Sequence, residues 1–541
     1  MTDEQKTYPV SEQIQNLIKV YKEAARPPAI DKSEQKIQVS KFASRMAFVY
    51  EKIRNFIGNE QRHLFRKNAI KRIIKRRGWY KVKNNKTEEL AKELIHELIW
   101  AKYLENGKVP VGKISSAEFI INKYRYLLSE VGRLYPRAPL EKIIPWLEGL
   151  MSCEIEEELA PPTQGDALVF TIYEIESQNI NLIDKKLSDE DKEIQLFVAM
   201  HRAVFGSDRD MIRYQLFKFG NPEWLRADQK IIRQTADRFD GLYNEVEEKL
   251  KYPLRDRLYR VVKQKAVPYQ IIQDIIRDKR LEAEQIFADP DKLLAEMLRD
   301  LGSRYQQTRS TLHRSMIRSI LYVFLTKMSL ALIVEVPFDK YYEGLVNYTS
   351  LAINIIVPPL IMFIVTILIR VPSEKNTERI ISLTDNIVYG SGETQIVKIK
   401  KSPARGFFLN FFIYAIYLLT FFISFGLIVY ALQLLAFNPV SIAIFILFLC
   451  MIAYFGFRIR QSARELVVLR KKENFFSVII DFLAMPIVRV GRWINVNFSK
   501  VNIFVFIFDF IIEAPYKVLV QIMEEWLDFV REKKEELKDQ D

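Results

Sequence analysis

Residues 107–113 read Gly-Lys-Val-Pro-Val-Gly-Lys, which sets Gly107, Gly112 and Lys113 at the spacing of a loop whose backbone amides and lysine surround a phosphate. The next residue is Ile114, where such a loop needs a metal-binding hydroxyl, and Pro110 removes an amide from its middle. A buried strand should come before it, yet the preceding residues repeat their apolar positions at helical spacing, so the segment reads as a turn between helices. His96-Glu97 opens like a zinc-protease helix, but Trp100 stands where the second histidine is required. The four histidines, His63, His96, His201 and His313, and the two cysteines, Cys153 and Cys450, lie far apart in sequence. No set has metal-ligand spacing, and no metal or other cofactor is expected. Nucleophile elbows and dinucleotide-binding glycine turns are also missing, so no catalytic residue is nominated and an enzyme ranks behind binding functions.

The strongest local signal is basic. Arg66, Lys67, Lys71, Arg72, Lys75, Arg76 and Arg77 fall within a predicted helix and its continuation, residues 64–86, and Phe65, Ala69, Ile70, Ile73 and Ile74 occupy the opposite face. Such a helix would rest its apolar side on a core and offer positive potential to solvent. With a net charge of +13 for the chain, these seven residues are candidates for binding an anionic surface. Lipid headgroup phosphates are favoured over nucleic acid, although Trp79 and Tyr80, beyond a helix-ending Gly78, have the rings to stack on bases. Glu154, Glu156, Glu157 and Glu158 read as a solvated charge run.

Three ionisable residues interrupt apolar runs. Lys327 stands near the middle of the first long run, where a charge needs a partner or a polar path unless its stem snorkels to the surface. Asp481 and Asp509 lie in the shorter runs 475–490 and 501–512, on either side of a turn expected near Asn495. Either acid becomes a partner for Lys327 only if those runs enter the bilayer; the plainer expectation is two interfacial helices with each aspartate turned to water.

These residues sit on an all-α framework. Runs at 319–338, 350–371, 406–437 and 439–457 each supply about 20 apolar residues, the length that crosses a bilayer. Arg304, Arg309, Arg314 and Arg318 precede the first; Arg370, Lys375, Arg379, Lys398, Lys400, Lys401 and Arg405 lie between or beside the second and third; Arg458, Arg460 and Arg464 follow the fourth. Residues 335–348 hold only Lys340, so the positive-inside rule places both termini in the cytoplasm, in a membrane of the cytoplasmic (inner) type. The first residues are polar, and no signal peptide is expected. Pro358-Pro359 should kink the second span.

We therefore expect a polytopic membrane protein with a large helical cytoplasmic N-terminal region, about four transmembrane helices at 319–457, and interfacial or amphipathic helices at 458–541. Residues 1–160 and 161–315 would form two cytoplasmic helical subdomains, divided at Ala160-Pro161-Pro162. Ser115 with Glu118 and Ser188 with Asp191 have capping-box spacing; residues 232–250 predict one long helix; Gly302 marks a break before the first span; 387–399 suggests a β-hairpin. Function follows from class alone: a membrane-anchored cytoplasmic scaffold contacting anionic lipid or a protein partner, with the apolar stripe of 516–530 available to a partner or a second copy. The alternative is a transporter or channel component acting as an oligomer, with Lys327 in the membrane pathway.

Overall fold

The computed structural model describes residues 9–24, 35–40, 64–81, 86–137, 139–184, 187–344, 348–367, 374–390, 396–400, 406–463 and 475–500, with isolated positions in 44–51 and 518–534. The fold is all-α, 84 % helical among these residues, and three long apolar helices in its C-terminal half could span a membrane. Contacts divide the chain into two compact units, one of 13–266, 394–399 and 503–541, the other of 1–12, 267–393 and 400–502.

The first unit is built around a central helix. Its helices are α1 (Glu12–Ala24), α2 (Phe65–Arg76), α3 (Thr87–Trp100), α4 (Gly112–Leu134), α5 (Leu140–Leu159), α6 (Thr163–Glu176), α7 (Asp189–Phe205), α8 (Arg209–Gly220), α9 (Gln229–Asp237) and α10 (Phe239–Leu250). α5 packs against α2, α4 and α8, so it is buried on most of its circumference and carries apolar residues all round, Ile143, Trp146, Leu150 and Ile155 among them. One apolar cluster runs from Ile37 through α5 to Leu250. Residues on both sides of Ala160-Pro161-Pro162 contribute to it, so the prolines interrupt helices at a point where the contacts do not divide the chain. Trp146 is the aromatic centre, its ring 5.4–6.0 Å from those of Tyr243, Phe239 and Phe217.

Local signals were realised unevenly. Ser188 caps α7, accepting from the Asp191 amide at 3.1 Å, and Gly206 ends that helix in the left-handed region. Ser115, by contrast, lies inside α4, which starts at Gly112. The helix expected over 232–250 breaks at Arg238 into α9 and α10. In place of a hairpin at 387–399, Ile387–Tyr389 closes helix α15 (Glu374–Tyr389), and strand β2 (Val397–Lys400) pairs with β1 (Ile180–Ile183), a distant partner that short-range patterning does not reveal.

The boundary with the second unit falls within α11 (Arg255–Lys279), which is followed by α12 (Ala283–Ala288). Next, α13 (Pro290–Leu330) runs for 41 residues from its Asp289 cap, straight through Gly302, where a break was expected. Gly302 faces open space, and 28 helical residues after it outweigh one weak propensity. Beyond Leu330 the helix widens to i→i+5 hydrogen bonding at Ala331–Glu335 and again at Asp339–Glu343. Helices α14 (Tyr348–Ile367), α16 (Phe407–Leu434), α17 (Pro439–Ala463) and α18 (Phe475–Lys500) complete the unit. Among the described residues, the helices long and apolar enough to cross a membrane are the one starting at Pro290, α16 and α17; the expected second span is a shorter apolar helix over Tyr348–Ile364, and 368–371 lie outside the described residues.

α18 corrects a further expectation. It passes through Arg492, Trp493 and Asn495 as one helix, with no turn there. It packs on both α16 and α17, and the contact is close: a Cβ on Gly491 would lie 1.9 Å from the Cys450 carbonyl oxygen.

Candidate functional site

Helix α2 brings the predicted basic residues together, but turns most of them toward acids. Lys67 was expected on the solvent face and is 1 % exposed, bound to Asp208 with Asp210 at 4.0 Å. Lys71 bonds Asp210 at 2.5 Å, Arg72 bonds Glu51 at 2.5 Å, Arg76 bonds Glu97 at 2.5 Å and Arg66 bonds Glu156 at 3.3 Å. Arg77 reaches Glu93 at 3.1 Å, while Lys75 is exposed. Burial opposes the charge on Lys67, yet Asp208 and Asp210 hold its pKa above the ordinary lysine value; Asp210 is held below the usual carboxylate range against its own burial, chiefly by Lys71 and Lys67. Trp79, a candidate for stacking on bases, is fully buried and donates to Glu148 Oε1 at 3.2 Å. The field of α2 is thus largely spent inside the fold, where it clamps α2 to α3, α5 and α8.

The acidic run gives that clamp Glu156, and its other members pair with lysines of α4 and α8. Glu154 is buried with Lys123 as its partner, and also accepts from Tyr124 Oη at 2.8 Å and Trp224 Nε1 at 2.9 Å. Burial pushes the Glu154 carboxyl up and the Lys123 ammonium down. Glu157 pairs with Lys218 and Glu158 with Lys113, each at 2.8 Å. The run reads as solvated only if α5 is taken as a surface helix; as the central helix it meets a cation on every side. Lys113 is therefore held by α5, and its glycine-rich segment is a turn, with Gly107 at φ +74°. No three histidine, cysteine or acidic side chains converge as metal ligands among the described residues.

In the second unit Lys327 is fully buried and its partner is neither of the aspartates proposed. Its ammonium donates to Glu335 Oε1 at 2.7 Å and lies 5.2 Å from the centre of the Phe448 ring. Asn354 of α14 donates from Nδ2 to Glu335 Oε2 at 2.5 Å, and its own Oδ1 is buried without a partner among the described residues. Asp481, half exposed, faces Arg460 at 3.5 Å, and Asp509 lies outside the described residues. Regular helical periodicity does not connect Glu335, near the end of the first apolar run, with Lys327. Its distance from Lys327 explains why: residues eight apart in a regular α-helix are separated by about 80° around the axis. The extra residue taken up by the wide turn at 331–335 winds Glu335 back by roughly one helical step of 100°, to within about 20° of Lys327. One turn further, Asp339 accepts from Asn438 Nδ2 at 2.5 Å.

No family model, curated protein or solved structure matches this chain. The class is set by the fold: an all-α protein carrying, among the described residues, three helices long and apolar enough to cross a membrane.

Proposed function

We propose that the chain is a membrane-anchored helical scaffold, its N-terminal unit and both termini on the cytoplasmic side of an inner-type membrane and α14 acting as a fourth, shorter crossing. The observation that carries this reading is the surface of α16. Only 11 % of its most apolar stretch is buried, with Phe408, Phe411, Phe422, Leu427 and Tyr430 all more than half exposed. Exposed apolar surface on that scale calls for a bilayer or a partner to cover it. The N-terminal unit has the rigidity of a platform, because its ion pairs cross-link helices around one core. With most of α2 paired internally, contact with anionic lipid narrows to Lys75 and, beyond the helix, Lys81. Exposed Leu519, Ile522 and Trp526 offer a stripe to a protein partner or a second copy.

Transport through an oligomer is a second reading, favoured by the buried Lys327–Glu335–Asn354 cluster. Reconstitution of the full chain in sealed liposomes separates the two. The scaffold reading expects ion and proton leak equal to that of empty vesicles; flux that is lost in Lys327→Leu while insertion persists would replace it with transport.

A further inference from the structure

Helix α13 changes its charge habit along its length. Arg304 is neutralised twice, by Asp300 at 2.7 Å and by Asp274 of α11. Beyond it no acid follows until Glu335, and Arg309, Arg314 and Arg318 stand exposed with no acid partner among the described residues. The apolar part of the helix begins directly after Arg318. Arg314, Arg318, Leu321 and Leu325 follow one another at spacings of four, three and four, which sets them within about 60° of arc on one face of a regular helix. Leu321 and Leu325 are 55 % and 51 % exposed, whereas Val323 and Lys327, on the opposite side, are buried against α14 and α17. The exposed face therefore runs from two unpaired cations straight into uncovered apolar surface.

We propose that this strip binds an anionic phospholipid of the cytoplasmic leaflet, its phosphate on Arg314 and Arg318 and an acyl chain along Leu321 and Leu325; the proposal rests on the reading of α13 as a crossing entered from the cytoplasmic side. Side chains four residues apart on a helix are neighbours, so the two guanidiniums reach one phosphate, each with paired N–H donors. Arg314 is steadied for this by donating from Nη2 to Ser310 Oγ at 2.9 Å, and its Nη1 donors stay unused. From Arg318 to Leu325 the helix rises about 10 Å, within the roughly 15 Å of hydrocarbon in one leaflet. Charge selects the class of lipid: a zwitterionic headgroup brings its own cation toward two arginines, and an anionic one does not. The leucines select a lipid over an anion in water, because a free phosphate leaves their surface uncovered.

Native mass spectrometry of the full chain in detergent, offered equal amounts of phosphatidylglycerol and phosphatidylcholine, measures the preference. The wild type should retain phosphatidylglycerol with about thirtyfold preference, as two basic side chains on one anionic headgroup predict. Combining Arg314→Gln with Arg318→Gln should abolish it, whereas Arg309→Gln, which removes a charge from the other side of the helix, should keep it. Excess inorganic phosphate should leave the retained lipid in place. The double variant breaks no ion pair to an acid, and its unfolding temperature in detergent alone should equal that of the wild type. Flotation with phosphatidylcholine vesicles separates the two readings: a wild-type chain that does not float overturns both the crossing and the lipid site. A chain that floats but holds the two lipids equally, a preference that survives in the double variant, or displacement by inorganic phosphate overturns the lipid site alone.

Discussion

Lys67 and Lys75 are two turns apart on one helix, with the same side chain and opposite roles. Lys67 neutralises Asp208 and Asp210 inside the fold, and Asp208 also caps α8 through the Met211 amide at 3.0 Å. Lys67→Met removes the ion-pair partner of Asp208, while Asp210 keeps Lys71 and Arg213, and should cost about 3 kcal/mol, whereas Lys75→Gln should stay within about 0.5 kcal/mol. Chemical denaturation of the full chain in detergent measures both. His201 gives a pH signature. It is 3 % exposed between Phe197 and Phe205, and Ser207 Oγ donates to its carbonyl, so the contact of Nδ1 with that Oγ fixes the Nδ1–H tautomer. Burial lowers its pKa from 6.5 to about 4. The unfolded chain therefore binds this proton first on acidification, and the histidine's share of stability, present in full above pH 6.5, is lost as pH falls toward about 4. That share is about 3 kcal/mol. His201→Gln should remove this slope from a stability–pH curve and leave the rest of the curve unchanged.

Helices in this protein are placed by what lies next to them more than by their own propensity. Gly491 shows this most sharply. α18 approaches α17 so closely that a Cβ there would meet the Cys450 carbonyl oxygen at 1.9 Å and its carbon at 2.7 Å, and backbone cannot swing away as a side chain can. Gly491→Ala should force the two helices apart at a cost of about 2 kcal/mol or more. Gly426, on α16, has nothing within 4 Å of its Cβ position, and Gly426→Ala is the matched control, expected to be neutral. The measurement is the loss of a cysteine cross-link between α17 and α18 together with thermal stability in detergent. The wide turn at Ala331–Glu335 is placed in the same way, its extra residue accommodated where it aligns Glu335 with Lys327.

For the whole molecule, the question is how a chain with a charged N-terminal part and a heavily exposed apolar C-terminal part is arranged across a bilayer. The Lys and Arg flanks predict both termini inside. Single cysteines in intact vesicles test it: Tyr341→Cys, 82 % exposed, should react with an impermeant thiol reagent from outside, while Lys86→Cys and Lys534→Cys should react only after permeabilisation. Reaction at position 534 alone before permeabilisation would add a crossing in the C-terminal region; failure of the chain to float with lipid would make the exposed face of α16 a protein contact.

Length, periodicity and charge asymmetry are properties of contiguous sequence, and they determined what contiguity can determine: an all-α chain, the position of the apolar helices and the turn at Gly107. The helix-ending Gly78, at φ +59°, and the Ser188 cap were legible for the same reason, since each is satisfied within a few residues. Pairing across long separations was not. Whether α2 displays or buries its cations depended on Asp208 and Asp210, about 140 residues away, and whether Glu154 is solvated depended on α5 being the centre of the core. Lys327 makes the same point within a single stretch: its counter-charge lies only eight residues on, yet an α-helical reading rotates Glu335 out of reach, and only the wide turn brings it back. Sequence periodicity assumes a regular helix and a known inside. Tertiary packing decided both where the helix departs from regularity and which face is inside, because a buried charge is tolerated only where the fold supplies its partner.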